Sequence, residues 1–157
     1  MIVMLKFDDF LNEKKLDKLS GIVLIVDDKI LLVKPKKYKK VDNMWSIPKG
    51  HLEDDLSNLE TALLELSEET GISLNIDDVS IRNKSNIFYK KSGVIKRLKY
   101  FVIVLKNTDL KKYLNDVKKL KLKNYKSKEI TKSKFFTKKE AEKRLEPGQF
   151  AILKELK

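Results

Sequence analysis

The chain has 157 residues, a formal net charge of +12 and no cysteine. That length suits one domain with its own core, and the missing thiols exclude a disulfide scaffold, a cysteine nucleophile and thiolate zinc sites. No apolar run reaches membrane-spanning length and no signal-peptide pattern is present, so a soluble, cytoplasmic protein without a membrane partner is expected. The positive field attracts polyanions. Apart from Arg82, Arg97 and Arg144 the cations are lysines, which suits general phosphate attraction better than base reading by arginine forks.

Residues 1–19 carry a weak helical pattern through Phe7, Phe10, Leu11 and Leu16 and are expected to be an N-terminal extension to a single domain spanning 20–157. Gly21 to Val26 and Lys29 to Val33 are apolar runs separated by Asp27-Asp28, the pattern of a tight β-hairpin. The basic run from Lys36 to Lys40 predicts a loop, and Trp45 to Ile47 a short strand that Pro48 must end. Ser57 followed by Glu60 is a capping box, in which each side chain satisfies a backbone N–H orphaned at a helix start. Leu59, Ala62, Leu63 and Leu66 then recur at helical spacing, and Gly71 before Ile72 suits a left-handed C-terminal cap, so a helix is predicted over 58–70.

Ser80 to Tyr89 and Val94 to Lys106 read as two long strands joined at Lys90 to Gly93. Leu110, Tyr113, Leu114 and Val117 suggest a short helix, followed by a loop. Residues 132–137 read as a strand, and Thr137 with Glu140 forms a second capping box for a helix through Leu145. After Pro147-Gly148, a last helix from Gln149 to Leu156 is expected to bury Phe150, Ile152 and Leu156. Strands interleaved with helices in this order predict a mixed α/β fold with helical layers on both sides of a sheet.

Glu65, Glu68 and Glu69 fall on one side of the first helix at spacings i, i+3 and i+4. Each like-charge pair at such spacing costs a few tenths of a kcal/mol, and acids in a last turn oppose the helix dipole. On an anonymous helix they would be a solvated acidic face. A bound cation would reverse both penalties, and carboxylate oxygens suit Mg²⁺ or Mn²⁺.

The stretch from Gly50 to Ile72 resembles the Nudix box, G-x5-E-x7-R-E-U-x-E-E-x-G-U with U apolar. Gly50, Glu65, Leu66, Glu68, Glu69, Gly71 and Ile72 match in register. Leu56 and Leu64 stand where the family has a glutamate and an arginine. Their joint replacement reads as apolar repacking, with Glu53, Asp54 and Asp55 near enough to supply an outer carboxylate. The resemblance implies an α/β/α sandwich and a metal-dependent hydrolase. It implies metal ligands among Gly50, Glu65, Glu68 and Glu69, with Glu68 and Glu69 catalytic. Family members often carry a general base on the loop before the last strand, where Glu129 stands here, with Glu69 as the other choice. Lys49 is the candidate phosphate clamp. Tyr89 is the candidate nucleoside contact, because diadenosine polyphosphate hydrolases of this family carry a tyrosine at a similar distance from the box. His51 reads as a turn residue rather than a ligand.

The implied reaction is hydrolysis of the pyrophosphate linkage of a small nucleoside diphosphate derivative, a dinucleoside polyphosphate or an ADP-ribose-like molecule. Removal of pyrophosphate from RNA 5′ ends is an alternative that the positive field would assist. A non-catalytic nucleotide- or RNA-binding module is a further one, supported by Leu56 and Leu64 and opposed by the intact glutamate set.

Overall fold

Strand β1 (Leu16–Val26) lies at the centre of a six-stranded mixed sheet. The computed structural model describes residues 16–113 and 130–156. Along its whole length β1 pairs in parallel with β5 (Val94–Leu105), from Leu16 opposite Ile95 to Val26 opposite Leu105. Its other edge is shared. Leu19 to Gly21 pair antiparallel with β3 (Lys49–His51), and Ile25 and Val26 with β2 (Lys29–Pro35). β4 (Ile81–Lys91) joins β5 and β6 (Ile130–Thr137) joins β2, which completes the order β4-β5-β1-β2-β6. β1 thus begins ahead of the residue 20 boundary expected for the domain.

Both expected hairpins form through two-residue turns. Asp27 and Asp28 have φ of 50° and 63°, and Ser92 and Gly93 have 52° and 78°. Two successive left-handed residues match the twist of the strands they connect.

Alternation along the strands divides the core in two. Ile22, Leu24, Phe101 and Ile103 face helix α1 (Asn58–Thr70), whose Ala62 and Leu66 are fully buried among them. Leu19, Val23, Leu98, Tyr100 and Val102 face the opposite way, toward α3 (Lys138–Arg144) and α4 (Phe150–Glu155). A short helix, α2 (Asn107–Leu110), buries Leu110 on the α1 side. The result is the α/β/α sandwich that the sequence suggests.

Two expectations need correction. Trp45 to Ile47 is not a strand: Ser46 makes one antiparallel bridge to Val33 and Trp45 one parallel bridge to Leu145. Ile47 N donates to the Gln149 side chain and Pro48 has no N–H, so the ladder resumes only at Lys49, in β3. The last helix is also rotated. Phe150 is exposed, while Ile152 and Leu153 are buried with Gln149 and Leu156 packs beside them. Leu114 and Val117 lie outside the described residues.

Candidate active site

Helix α1 is fixed at both ends by local chemistry. Ser57 Oγ accepts from Glu60 N and Glu60 Oε1 from Ser57 N, while Gly71 closes the helix at φ 79°. Ser20 Oγ donates to Asn58 Oδ1 at 2.8 Å, tying the first turn to β1. The helix therefore presents one fixed side to β3, which pairs with the same stretch of β1.

Two of the box glutamates meet β3 there. A methyl group placed on Gly50 would lie 2.1 Å from the carboxyl carbon of Glu65, so only glycine lets that carboxylate approach the strand so closely. One turn later Glu69 is buried, and its Oε1 accepts from Lys49 N at 3.3 Å. Glu68 is exposed. The three acids thus differ in setting, one packed on Gly50, one buried against the strand and one open to solvent.

Hard carboxylate oxygens in this number fit Mg²⁺ or Mn²⁺ in chemistry. Among the described residues no three acidic or histidine side chains converge into one ligand group.

Lys49, Gly50 and Glu69 line a cavity of about 720 Å³, a volume suited to a nucleotide-sized ligand. Its wall also includes Tyr38, Lys91 and Glu146. Glu146 is buried, and its Oε2 accepts from Lys91 Nζ at 3.1 Å. The Lys91 ammonium lies 4.9 Å from the centre of the Tyr38 ring, and that of Lys37 5.0 Å. Burial lowers the pKa of Lys49 below the ordinary lysine value; Glu146 and Glu69 oppose the shift, and Lys91 and Lys96 reinforce it.

At the rim, Asp17 accepts from Lys96 at 2.6 Å and lies 2.9 Å from His51 Nε2. Burial pushes the Asp17 carboxyl up, but the Lys96 hydrogen bond and the neighbouring His51 outweigh it and hold the pKa low. His51 belongs to β3 rather than a turn and is exposed.

The expected site residues thus divide. Lys49, Gly50, Glu65 and Glu69 come together at the crossing of α1 and β3, and Glu68 follows on the open side of the helix. Tyr89 does not join them. Alternation on β4 puts it on the core side with Ile87, its ring 2.4 Å from where a methyl on Gly148 would be, and burial raises the pKa of its hydroxyl. It does not line the cavity. Glu129 lies outside the described residues; the next residue, Ile130, opens β6 and lines the cavity. Leu56 is half-buried but Leu64 is exposed, so at residue 64 the apolar replacement is not interior repacking.

Sequence reasoning missed Glu146, Lys91 and Tyr38. Glu146 carried one signal, an acid set between the buried Leu145 and Pro147, but its cation comes from another strand.

A six-stranded mixed sheet thus lies between helices, with a glutamate-bearing helix packed on a glycine at a cavity wall. The sequence matches the NUDIX domain over residues 18–156, and the chain belongs to that family. It is a Nudix hydrolase, an enzyme of the pyrophosphohydrolase type. Three solved structures are similar in fold. A Caenorhabditis elegans Ap4A hydrolase in a binary complex superposes with a TM-score of 0.67 at 23% identity, over 88% of this chain and 93% of that one. A bifunctional NMN adenylyltransferase/ADP ribose pyrophosphatase from Francisella tularensis, complexed with AMP and Mn ion, gives 0.66 at 21%, over 88% of this chain and 41% of that one. A MutT Nudix hydrolase from Burkholderia pseudomallei gives 0.62 at 13%, over 90% and 98%. No curated protein matches the sequence significantly. Among the described residues no helix is long and apolar enough to cross a membrane.

Proposed function

We propose that this chain hydrolyses the pyrophosphate linkage of a small nucleoside diphosphate derivative, a dinucleoside polyphosphate or an ADP-ribose-like molecule, with Mg²⁺ or Mn²⁺. The observation that carries the reading is the packing of Glu65 on Gly50 and of Glu69 on Lys49 N, at the wall of a cavity lined by lysines. Gly50, Glu65, Glu68 and Glu69 would hold the cation, which supplies charge neutralisation at the pyrophosphate and a more acidic water.

The protein's own groups do the rest. Lys49 holds a phosphate beside Glu69, and the lysines along the wall align the chain of phosphates so that attack is in line. A carboxylate takes the proton of the attacking water, from Glu129 or Glu69. The water oxygen bonds to one phosphorus as the bridging P–O bond breaks, leaving two phosphorylated fragments. The net charge of +12 keeps RNA 5′ ends as a second substrate class.

The test is release of phosphorylated fragments from diadenosine polyphosphates, ADP-ribose, NADH, nucleoside triphosphates and triphosphorylated RNA, each with Mg²⁺, with Mn²⁺ and with chelator. Metal-dependent cleavage of a small nucleotide supports the reading. Cleavage confined to RNA transfers it to the second class, and silence throughout overturns it.

A further inference from the structure

Among the described residues, Tyr38 is the one aromatic side chain lining the cavity. A ring in that position would ordinarily suggest a stacking surface for a nucleobase. Here its π surface is already engaged by two ammonium groups, those of Lys37 and Lys91, each about 5 Å from the ring centre. Lys91 is held from a second side by the buried carboxylate of Glu146. The half-buried ring and the buried acid therefore bring lysines from two separate segments, the loop after β2 and the end of β4, onto one patch of the wall.

Two ammonium groups gathered on one ring repel each other, and the Lys91–Glu146 pair neutralises only one of them. A multiply charged anion offsets the remainder. The patch is distinct from Lys49, which belongs to β3 and sits beside Glu69. One cavity thus gathers phosphate-compatible cations from three segments, Lys49 on β3 beside Glu69 and Lys37 and Lys91 at the Tyr38 ring.

We propose that Lys37, Tyr38 and Lys91 form a second anion site, which binds a phosphate of the substrate remote from the bond that is broken. The inference rests on the pyrophosphohydrolase reading and narrows it. A substrate that fills both places carries a long phosphate chain, as a dinucleoside tetraphosphate does. ADP-ribose fits less well, because its remote group is an uncharged sugar.

The test compares kcat/KM for diadenosine tetraphosphate and for ADP-ribose in the wild type and in Lys37→Met, Tyr38→Leu and Lys91→Met. The wild type should prefer the tetraphosphate, and each lysine variant should lower the ratio of the two values about tenfold, chiefly through KM for the tetraphosphate. An unchanged ratio, or a wild-type preference for ADP-ribose, overturns the proposal. Lys91→Met strands Glu146 and can unfold the chain, whereas Lys37→Met and Tyr38→Leu alter a surface loop and keep the comparison valid. Calorimetric titration with inorganic tripolyphosphate, in chelator, reads the site without catalysis. Binding that weakens at least fivefold in Lys37→Met supports it, and equal binding overturns it. Failure of the hydrolase reading would look different: neither nucleotide would be cleaved by the wild type, while tripolyphosphate binding would still depend on Lys37.

Discussion

Helices α1 and α3 begin with the same device and end with opposite charges. Ser57 with Glu60 and Thr137 with Glu140 form matching capping boxes, side chain to backbone in both directions. At its other end α3 places Lys143 and Arg144 in the last turn, the arrangement the helix dipole favours. The last turn of α1 has no basic residue and carries Glu68 and Glu69 instead. The same chain that satisfies the dipole in one helix opposes it in the other, and the opposed end is the one packed on Gly50 and Lys49 at the cavity. Helix α1 forgoes the favourable dipole arrangement at the end that meets the cavity wall.

The acids of α1 separate the two helices most directly. Glu68→Gln should reduce Mg²⁺-dependent turnover to the level seen with chelator while leaving the circular dichroism spectrum unchanged; Glu142→Gln on α3 should leave turnover intact. Equal effects of the two would remove the distinction between the helices. Gly50→Ala comes next. The added methyl displaces the Glu65 carboxylate, and kcat should fall at least tenfold, by analogy with loss of a metal site's support. Because the displaced group is the far end of a flexible side chain, stability in a urea melt should change little.

The shared beginnings give a smaller, symmetrical effect. Ser57→Ala and Thr137→Ala should each destabilise by about 1 kcal/mol in chemical denaturation. The unequal ends should then show opposite signs. Without metal, Glu68→Gln should stabilise by a few tenths of a kcal/mol and Lys143→Gln should destabilise by a similar amount. Finally, hydrogen bonds from the cap residues hold the pKa of Glu60 and of Glu140 below the ordinary carboxylate value. Depressed carboxylates stabilise the fold above their unfolded pKa, and the benefit is lost as pH falls through the folded one. The acid side of a plot of Tm against pH should therefore be flatter in the Glu60→Gln, Glu140→Gln double variant.

What was legible in the sequence follows the range of the interactions. Capping boxes, the Gly71 stop and the Asp27-Asp28 turn are built from residues within a few positions of one another, and each stands where the pattern puts it. The acidic half of the site shares that property, since Gly50 and Glu65 belong to one short stretch. The basic half does not. Glu146 and Lys91 meet across 55 positions, and Tyr38 comes from a third segment, so no local spacing announces them. Tyr89 stands at a suggestive distance from the box, and alternation on β4, which that distance does not encode, turns it into the core. Phe150 shows the opposite outcome, expected buried and found exposed, because a helix of six residues leaves its phase to packing rather than pattern.

The parallel register of β1 with β5 has a consequence for how the chain folds. Every pair in that ladder joins residues 79 positions apart, as Asp17 and Lys96 are. The β1–β2 hairpin can close at once, whereas the central ladder must wait until β5 is available, with the entropy of a long loop to overcome. On the ribosome, the backbone N–H and C=O groups along that edge of β1 therefore stay unpaired while the next several segments are made. That edge is the place where premature pairing with another chain would begin.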